Sequence, residues 1–295
     1  MHPLLEKLLA HRPVVTDGAW GTELQARGLQ SGEFPDAWNL SHPDKVLEVA
    51  RAYVQAGSHI ILTNTFGANR VRLTAHECAG QLAEINRRGV EISKEAAGAQ
   101  ATVFASIGPT GKMLLAGEIT EDELRAIFEE QVRALAGAGA DGLVVETMAE
   151  LEEARIAVAA AHASGLPVVG CMVYDSGRNK DRTMTGVTPE QAVEGLISAG
   201  ADVIGANCGQ GIEGFVPICQ RLRAATDKPL WMKSNAGLPE VEQGRVTYRT
   251  TPETFAGYGP ALVAAGADFL GGCCGTNPEH IRALKARLTP STGGA

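Results

Sequence analysis

The stretch "GGCCGTNPEH", residues 271–280, sets Cys273 and Cys274 side by side among Gly271, Gly272 and Gly275. Adjacent thiols at such a point can be a buried apolar pair, a strained vicinal disulfide or two ligands of one metal ion. A third thiol, Cys208 in "GANCGQG", and two acids, Asp17 in "VVTDGAW" and Glu146 in "LVVETMAE", also follow short apolar runs. Three thiolates suffice for a tetrahedral zinc site with an open fourth position, the catalytic rather than the structural form. Zinc held this way keeps a net negative charge and polarises carbonyls or water poorly. It suits an incoming thiol, which loses its proton yet stays nucleophilic, so alkylation of sulfur is the matching chemistry. Asp17 and Glu146 could then bind the ammonium of an amino-acid thiol. The spacing alone leaves zinc level with two buried cysteines and a coincidental Cys208. Asp17 is equally a turn residue before Gly18, and Glu146 equally a helix-capping carboxylate.

Composition narrows the setting. The 295 residues exceed what a sizeable core needs, and 44% hydrophobic with 20% charged residues is the range of a globular enzyme. With 26 basic and 34 acidic residues, a net charge of -8 and no basic stripe, nucleic acid is not an expected partner. The amino terminus "MHPLLEKLLAHRP" has charges through its apolar stretch and no cleavable signal pattern, and no later segment approaches the ~18 apolar residues of a membrane span. A cytoplasmic chain with no membrane partner is the expectation. Six cysteines in such a chain point to reduced thiols with catalytic or metal roles rather than a disulfide framework.

The elements that must position these groups repeat. "QAGSHIILTNT", "GAGADGLVVET", "SAGADVIGANC" and "AAGADFLGGCC" each run from a helix-ending Ala-Gly into a buried apolar strand. Gly57, Gly139, Gly200 and Gly266 suit the left-handed cap. Four more runs, from Val14, Thr102, Pro167 and Pro229, bring the strands to eight. Helical stretches such as "PDKVLEVARAYVQ", "EDELRAIFEEQVRALA", "LEEARIAVAAAHA", "PEQAVEGLI" and "PETFAGYGPALVAA" lie between. Eight alternating units over ~250 residues predict a single-domain (β/α)8 TIM barrel spanning 1–295, with 289–295 a loose tail and an open doubly wound sheet as the alternative. The strand ends of such a barrel carry its active site. Here they carry Asp17, Asn64, Thr65, Ser106, Glu146, Thr147, Tyr174, Asp175, Asn207, Cys208, Asn235, Cys273 and Cys274, whereas Cys78, Cys171 and Cys219 fall elsewhere. Adjacent cysteines can share one ion only where a strand ends and turns, which the flanking glycines permit.

"DGAWGTELQARG", "TNTFGANR", "IGPTG", "VVETMAELEEA", "MTGVTPEQA", "GANCGQG", "SNAG" and "GGCCGTNPEHI" together resemble the homocysteine S-methyltransferase family, over about Val14 to Leu288 and in the same order. The resemblance implies a (β/α)8 barrel, a catalytic zinc ion on Cys208, Cys273 and Cys274, and homocysteine as methyl acceptor, giving methionine. It further implies that Asp17 and Glu146 hold the acceptor's amino group and that backbone through Gly18, Ala19 and Thr22 takes its carboxylate. Asn64 would be a further substrate contact, and the Asn235 carbonyl would fill the fourth zinc position when substrate is absent.

The donor is open between a small onium compound, such as S-methylmethionine, dimethylsulfoniopropionate or a betaine-like cation, and methylcobalamin on a separate corrinoid protein. Trp20, Phe34, Trp38, Phe66 and Tyr174 are aromatic candidates for an onium donor. Lys233 and Ser234 depart from methionine synthases, and a lysine at the mouth would repel such a cation unless it points away. The chain ends without the carboxyl-terminal extension of the betaine enzymes, which argues against betaine itself. A zinc-binding barrel without catalysis is the reading from another class, and oligomeric state stays open.

Overall fold

The structure, a computed structural model, describes residues 1–242 and 245–289. Eight parallel strands run in chain order: β1 (Val14–Val15), β2 (Ile60–Ile61), β3 (Thr102–Ile107), β4 (Gly142–Met148), β5 (Val168–Met172), β6 (Val203–Gly211), β7 (Leu230–Asn235) and β8 (Phe269–Gly272). Each pairs with its successor from β2 to β8, and β8 returns to β1 in the register Val14 to Phe269 and Val15 to Leu270. The ring is completed by a parallel bridge between Thr16 and Ile60 and a hydrogen bond from the His59 amide to the Val15 carbonyl at 2.7 Å. This closure makes the sheet a (β/α)8 barrel rather than an open doubly wound sheet. Gly57, Gly139, Gly200 and Gly266 all have φ between 88° and 105°, the left-handed caps expected before β2, β4, β6 and β8.

Inside the ring an apolar plug is built from alternate residues: Val14, Ile60, Phe104, Val144, Val169, Val203, Trp231 and Phe269. Leu5, on the amino-terminal helix Pro3–Leu9, joins it and closes the bottom of the barrel. The period of two then dictates what stands one layer higher: Ser106 above Phe104, Glu146 above Val144 and Lys233 above Trp231. A polar layer thus rests on an apolar floor.

Around the ring, Thr120 and Thr188 close capping boxes at the starts of helices Glu121–Gly137 and Pro189–Ser198. The single helix expected from "PETFAGYGPALVAA" is two, Pro252–Gly257 and Gly259–Ala264, because Pro260 has no amide hydrogen with which to continue the first. A hairpin of Glu240–Glu242 and Arg245–Thr247, which the sequence did not announce, follows β7. The expected tail, 289–295, lies outside the described residues apart from Thr289. Among the described residues no helix is long and apolar enough to cross a membrane.

Candidate active site and metal centre

At the carboxyl ends of the strands a cavity of about 410 Å³ is lined by residues from most of the barrel's loops, including Cys208, Cys273 and Cys274. The three cysteine sulfurs lie within 4.8 Å of one another, with Cys208 Sγ and Cys274 Sγ 3.9 Å apart. A tetrahedral zinc ion with ~2.3 Å bonds separates its sulfurs by about 3.8 Å, so the spacing fits one ion. Asn235 adds to the fit. Its Oδ1 is buried with no hydrogen-bond partner among the described residues. Among the described residues no other group of three potential ligands gathers in this way, and all six cysteines are free thiols.

Local backbone explains how the sulfurs converge. β8 stops at Gly272. The Cys273 amide then donates to Ser234 O at 2.7 Å, the Ala236 amide to Cys274 O at 2.9 Å and the Thr276 amide to Cys273 O at 3.1 Å, so the pair sits in a turn tied to β7. On β6 the register with β7 slips between Asn207 and Gly211, and Cys208 takes φ 61° within the slip. On β4 the register with β5 slips between Val145 and Met148, and Thr147, next to Glu146, takes φ 60°. Non-glycine residues held left-handed at two bulges facing one cavity mark a site where backbone regularity is given up to aim side chains.

Hydrogen bonds from Cys273 and Cys274 push the Cys208 thiol below its ordinary range, and the hydrogen bond with Cys208 pushes Cys273 and Cys274 up. Burial raises Glu146, opposed by Lys233 and by a hydrogen bond from Ser106 Oγ at 2.5 Å. Asn207 ties this corner together: Nδ2 donates to Glu146 Oε2 at 3.2 Å and to Thr147 Oγ1 at 2.7 Å, while Oδ1 accepts from the Thr147 amide at 2.7 Å.

The other sequence candidates are placed as follows. Gly18, Ala19, Thr22 and Asn64 line the cavity. The Ala19 amide is already given to Thr276 Oγ1 at 3.1 Å, whereas Thr22 Oγ1 is buried without a partner. Asn64 is anchored through Nδ2 to Pro35 O and Asn39 Oδ1. Asp17 is fully buried beneath the cavity. Of the five aromatic candidates, Trp20 and Phe66 reach the cavity. Phe34 stacks on His76, Trp38 packs in the layer under helix Pro43–Gln55, and Tyr174 belongs to the main core, because their side chains point into the helical shell. Lys233 does not stand at the mouth: it points inward and pairs with Asp17 at 2.5 Å. Burial works against its charge, but Asp17 and Glu146 outweigh that and hold it above the ordinary lysine range. Tyr248, after the hairpin, also lines the cavity beside Cys274. It lies in no strand-end pattern, so no periodic signal pointed to it.

Fold and site together define a barrel enzyme with a cluster of three cysteine sulfurs at the carboxyl ends of its strands. The profile of the homocysteine S-methyltransferase family matches residues 14–288, and the chain belongs to that family. It is 28% identical to methionine synthase of Mycobacterium leprae over 98% of this chain and 25% of that protein, so it spans about a quarter of the length of that relative. It is also 28% identical to betaine–homocysteine S-methyltransferase 1 of Mus musculus, over 98% of this chain and 75% of that one. The metallated crystal structure of the Escherichia coli homocysteine methyltransferase MmuM superposes with a TM-score of 0.81 at 26% identity, covering 97% of this chain and 99% of that one.

Proposed function

We propose that this chain is a zinc-dependent methyltransferase that moves a methyl group from a small onium donor to the thiol of homocysteine, giving methionine. The observation that carries the reading is the convergence of Cys208, Cys273 and Cys274 on one cavity that also holds Glu146. The metallated form of the similar MmuM enzyme supports a metal on this chain as well. Cys208, Cys273 and Cys274 would hold zinc, with Asn235 Oδ1 beside them. When bound there, zinc would lower the pKa of an incoming thiol while the three sulfurs keep that thiol nucleophilic.

The chain's own residues do the rest. Glu146 and Asp17, with the segment through Gly18, Ala19 and Thr22 and with Asn64, form the acceptor end. The Asn207 bonds fix Glu146 at a set distance from the cysteines. Trp20 and Phe66 give the cavity apolar and aromatic surface suited to an onium methyl group. The Lys233 charge, paired with Asp17, does not oppose such a cation. The acceptor sulfur attacks the methyl carbon, a sulfur–carbon bond forms, and the donor's carbon–nitrogen or carbon–sulfur bond breaks with its electron pair leaving on the neutral amine or sulfide. Proximity and alignment are the main contributions the protein makes to that step.

The likeness to methionine synthase favours a second reading, in which methylcobalamin on a corrinoid protein is the donor. One experiment separates the two. The reduced, zinc-loaded protein is given homocysteine with betaine, dimethylsulfoniopropionate, S-methylmethionine, S-adenosylmethionine or methylcobalamin, and methionine is measured. Turnover with one onium compound is the expected result. Turnover with methylcobalamin alone would transfer the reading to the corrinoid system, and none with any donor would overturn both.

A further inference from the structure

Lys233 carries an unanswered hydrogen-bonding question. It stands in the barrel interior with 2% exposure, its Nζ 6.0 Å from the centre of the Trp231 ring, and it lines the cavity. An ammonium has three N–H donors, and leaving buried donors unfilled is costly. Among the described residues one acceptor is found for them, Asp17 Oδ1 at 2.5 Å.

Asp17 is in the opposite condition. It accepts from Lys233, from the Leu62 amide at 2.7 Å and from the Trp20 indole at 2.8 Å, all protein donors. Its charge is neutralised by a resident ammonium, so an incoming ammonium gains little from it. Glu146 accepts from Ser106 and, at 3.2 Å, from Asn207, two neutral donors, and keeps its capacity for a cation. The cavity therefore offers unfilled cationic donors on Lys233 and, on Glu146, a carboxylate that feels that charge but has no direct ion-pair partner among the described residues.

We propose that Lys233 binds the carboxylate of the acceptor thiol, that Glu146 binds its ammonium, and that Asp17 is a positioning residue acting through Lys233. This rests on the methyl-acceptor reading above and reassigns Asp17 within it. The acceptor class is a thiol bearing a carboxylate, whose recognition depends more on that carboxylate than on its amino group.

The test is calorimetric binding of three thiols to the zinc-loaded protein: homocysteine, 4-mercaptobutanoate, which lacks the amino group, and 3-mercaptopropylamine, which lacks the carboxylate. Loss of the carboxylate should weaken binding by about tenfold or more beyond loss of the amine, the size of a charged hydrogen bond. Lys233→Met should abolish that difference and leave 3-mercaptopropylamine binding unchanged. Should Lys233→Met melt too low to assay because it strands the Asp17 carboxylate, the Asp17→Asn/Lys233→Met pair removes both charges of that ion pair and makes the same prediction. Asp17→Asn alone should keep the ratio of homocysteine to 4-mercaptobutanoate affinity. A larger loss from removing the amine, equal weakening of all three thiols by Lys233→Met, or loss of the homocysteine preference in Asp17→Asn would each overturn the assignment while leaving the acceptor reading intact. Binding of none of the three would overturn both.

Discussion

Cys208 Sγ lies 3.9 Å from Cys274 Sγ although β7 stands between the strands that carry them. The two sulfurs meet because each chain leaves the sheet at the same height, one through a bulge at φ 61° and the other through a glycine turn. Gly275, at φ 80°, ends that turn, and a Cβ there would sit 2.1 Å from the Tyr248 ring. Gly275→Ala therefore forces either the turn or Tyr248 to move, and both adjoin Cys274. The expected outcome is a stability loss of about 1–3 kcal/mol together with weaker metal binding. Metal analysis after dialysis against a mild chelator, beside a melting curve, checks it. Full metal retention at an unchanged melting temperature would show that the turn tolerates a side chain.

Asn207 makes its case through what it holds. Its amide engages Glu146, the Thr147 hydroxyl and the Thr147 amide, and so supports a residue held left-handed within the β4 register slip. Asn207→Ala should raise KM for the acceptor by about tenfold, in line with the loss of hydrogen bonds at a buried carboxylate, and change kcat less. Steady-state kinetics with acceptor varied at saturating donor reads the split. A fall in kcat at constant KM would place Asn207 in the transfer step instead.

Much of this site was legible in the chain because strands alternate and glycines punctuate. The Ala-Gly repeats located four strands, and the residues that end all eight strands include the three cysteines, Glu146 and Asn207. Three kinds of information were not legible. Side-chain direction beyond the strand ends was hidden, so Tyr174 and Trp38 read as mouth residues although they pack into the shell. Lys233 read as a lysine at the mouth that would repel an onium donor unless it points away, because nothing in "MKSNAG" says which way the residue faces; its partner Asp17 is 216 residues away. Tyr248 follows a hairpin whose residues form no long apolar run, so its position beside Cys274 depends on tertiary placement alone.

Asp36 lines the same cavity, is 3% exposed and accepts a hydrogen bond from the Gly67 amide at 2.9 Å. Burial raises its carboxyl from 3.8 to about 7, against the smaller lowering effects of that hydrogen bond and of Arg72. A carboxyl raised on folding is one for which the folded state holds a proton that the unfolded state has released. Its contribution is neutral below the unfolded value, and stability is lost as pH rises from about 4 through 7, by up to about 4 kcal/mol, and then levels off. Asp36→Asn keeps the shape and removes the titration. Wild type and variant should therefore melt at similar temperatures near pH 4, and the variant should melt several degrees higher at pH 8. Comparing the two removes the shared contributions of Glu146 and Glu153, which are raised by burial in the same direction. Parallel melting profiles from pH 4 to 8 would show that Asp36 stays ionised in the folded protein.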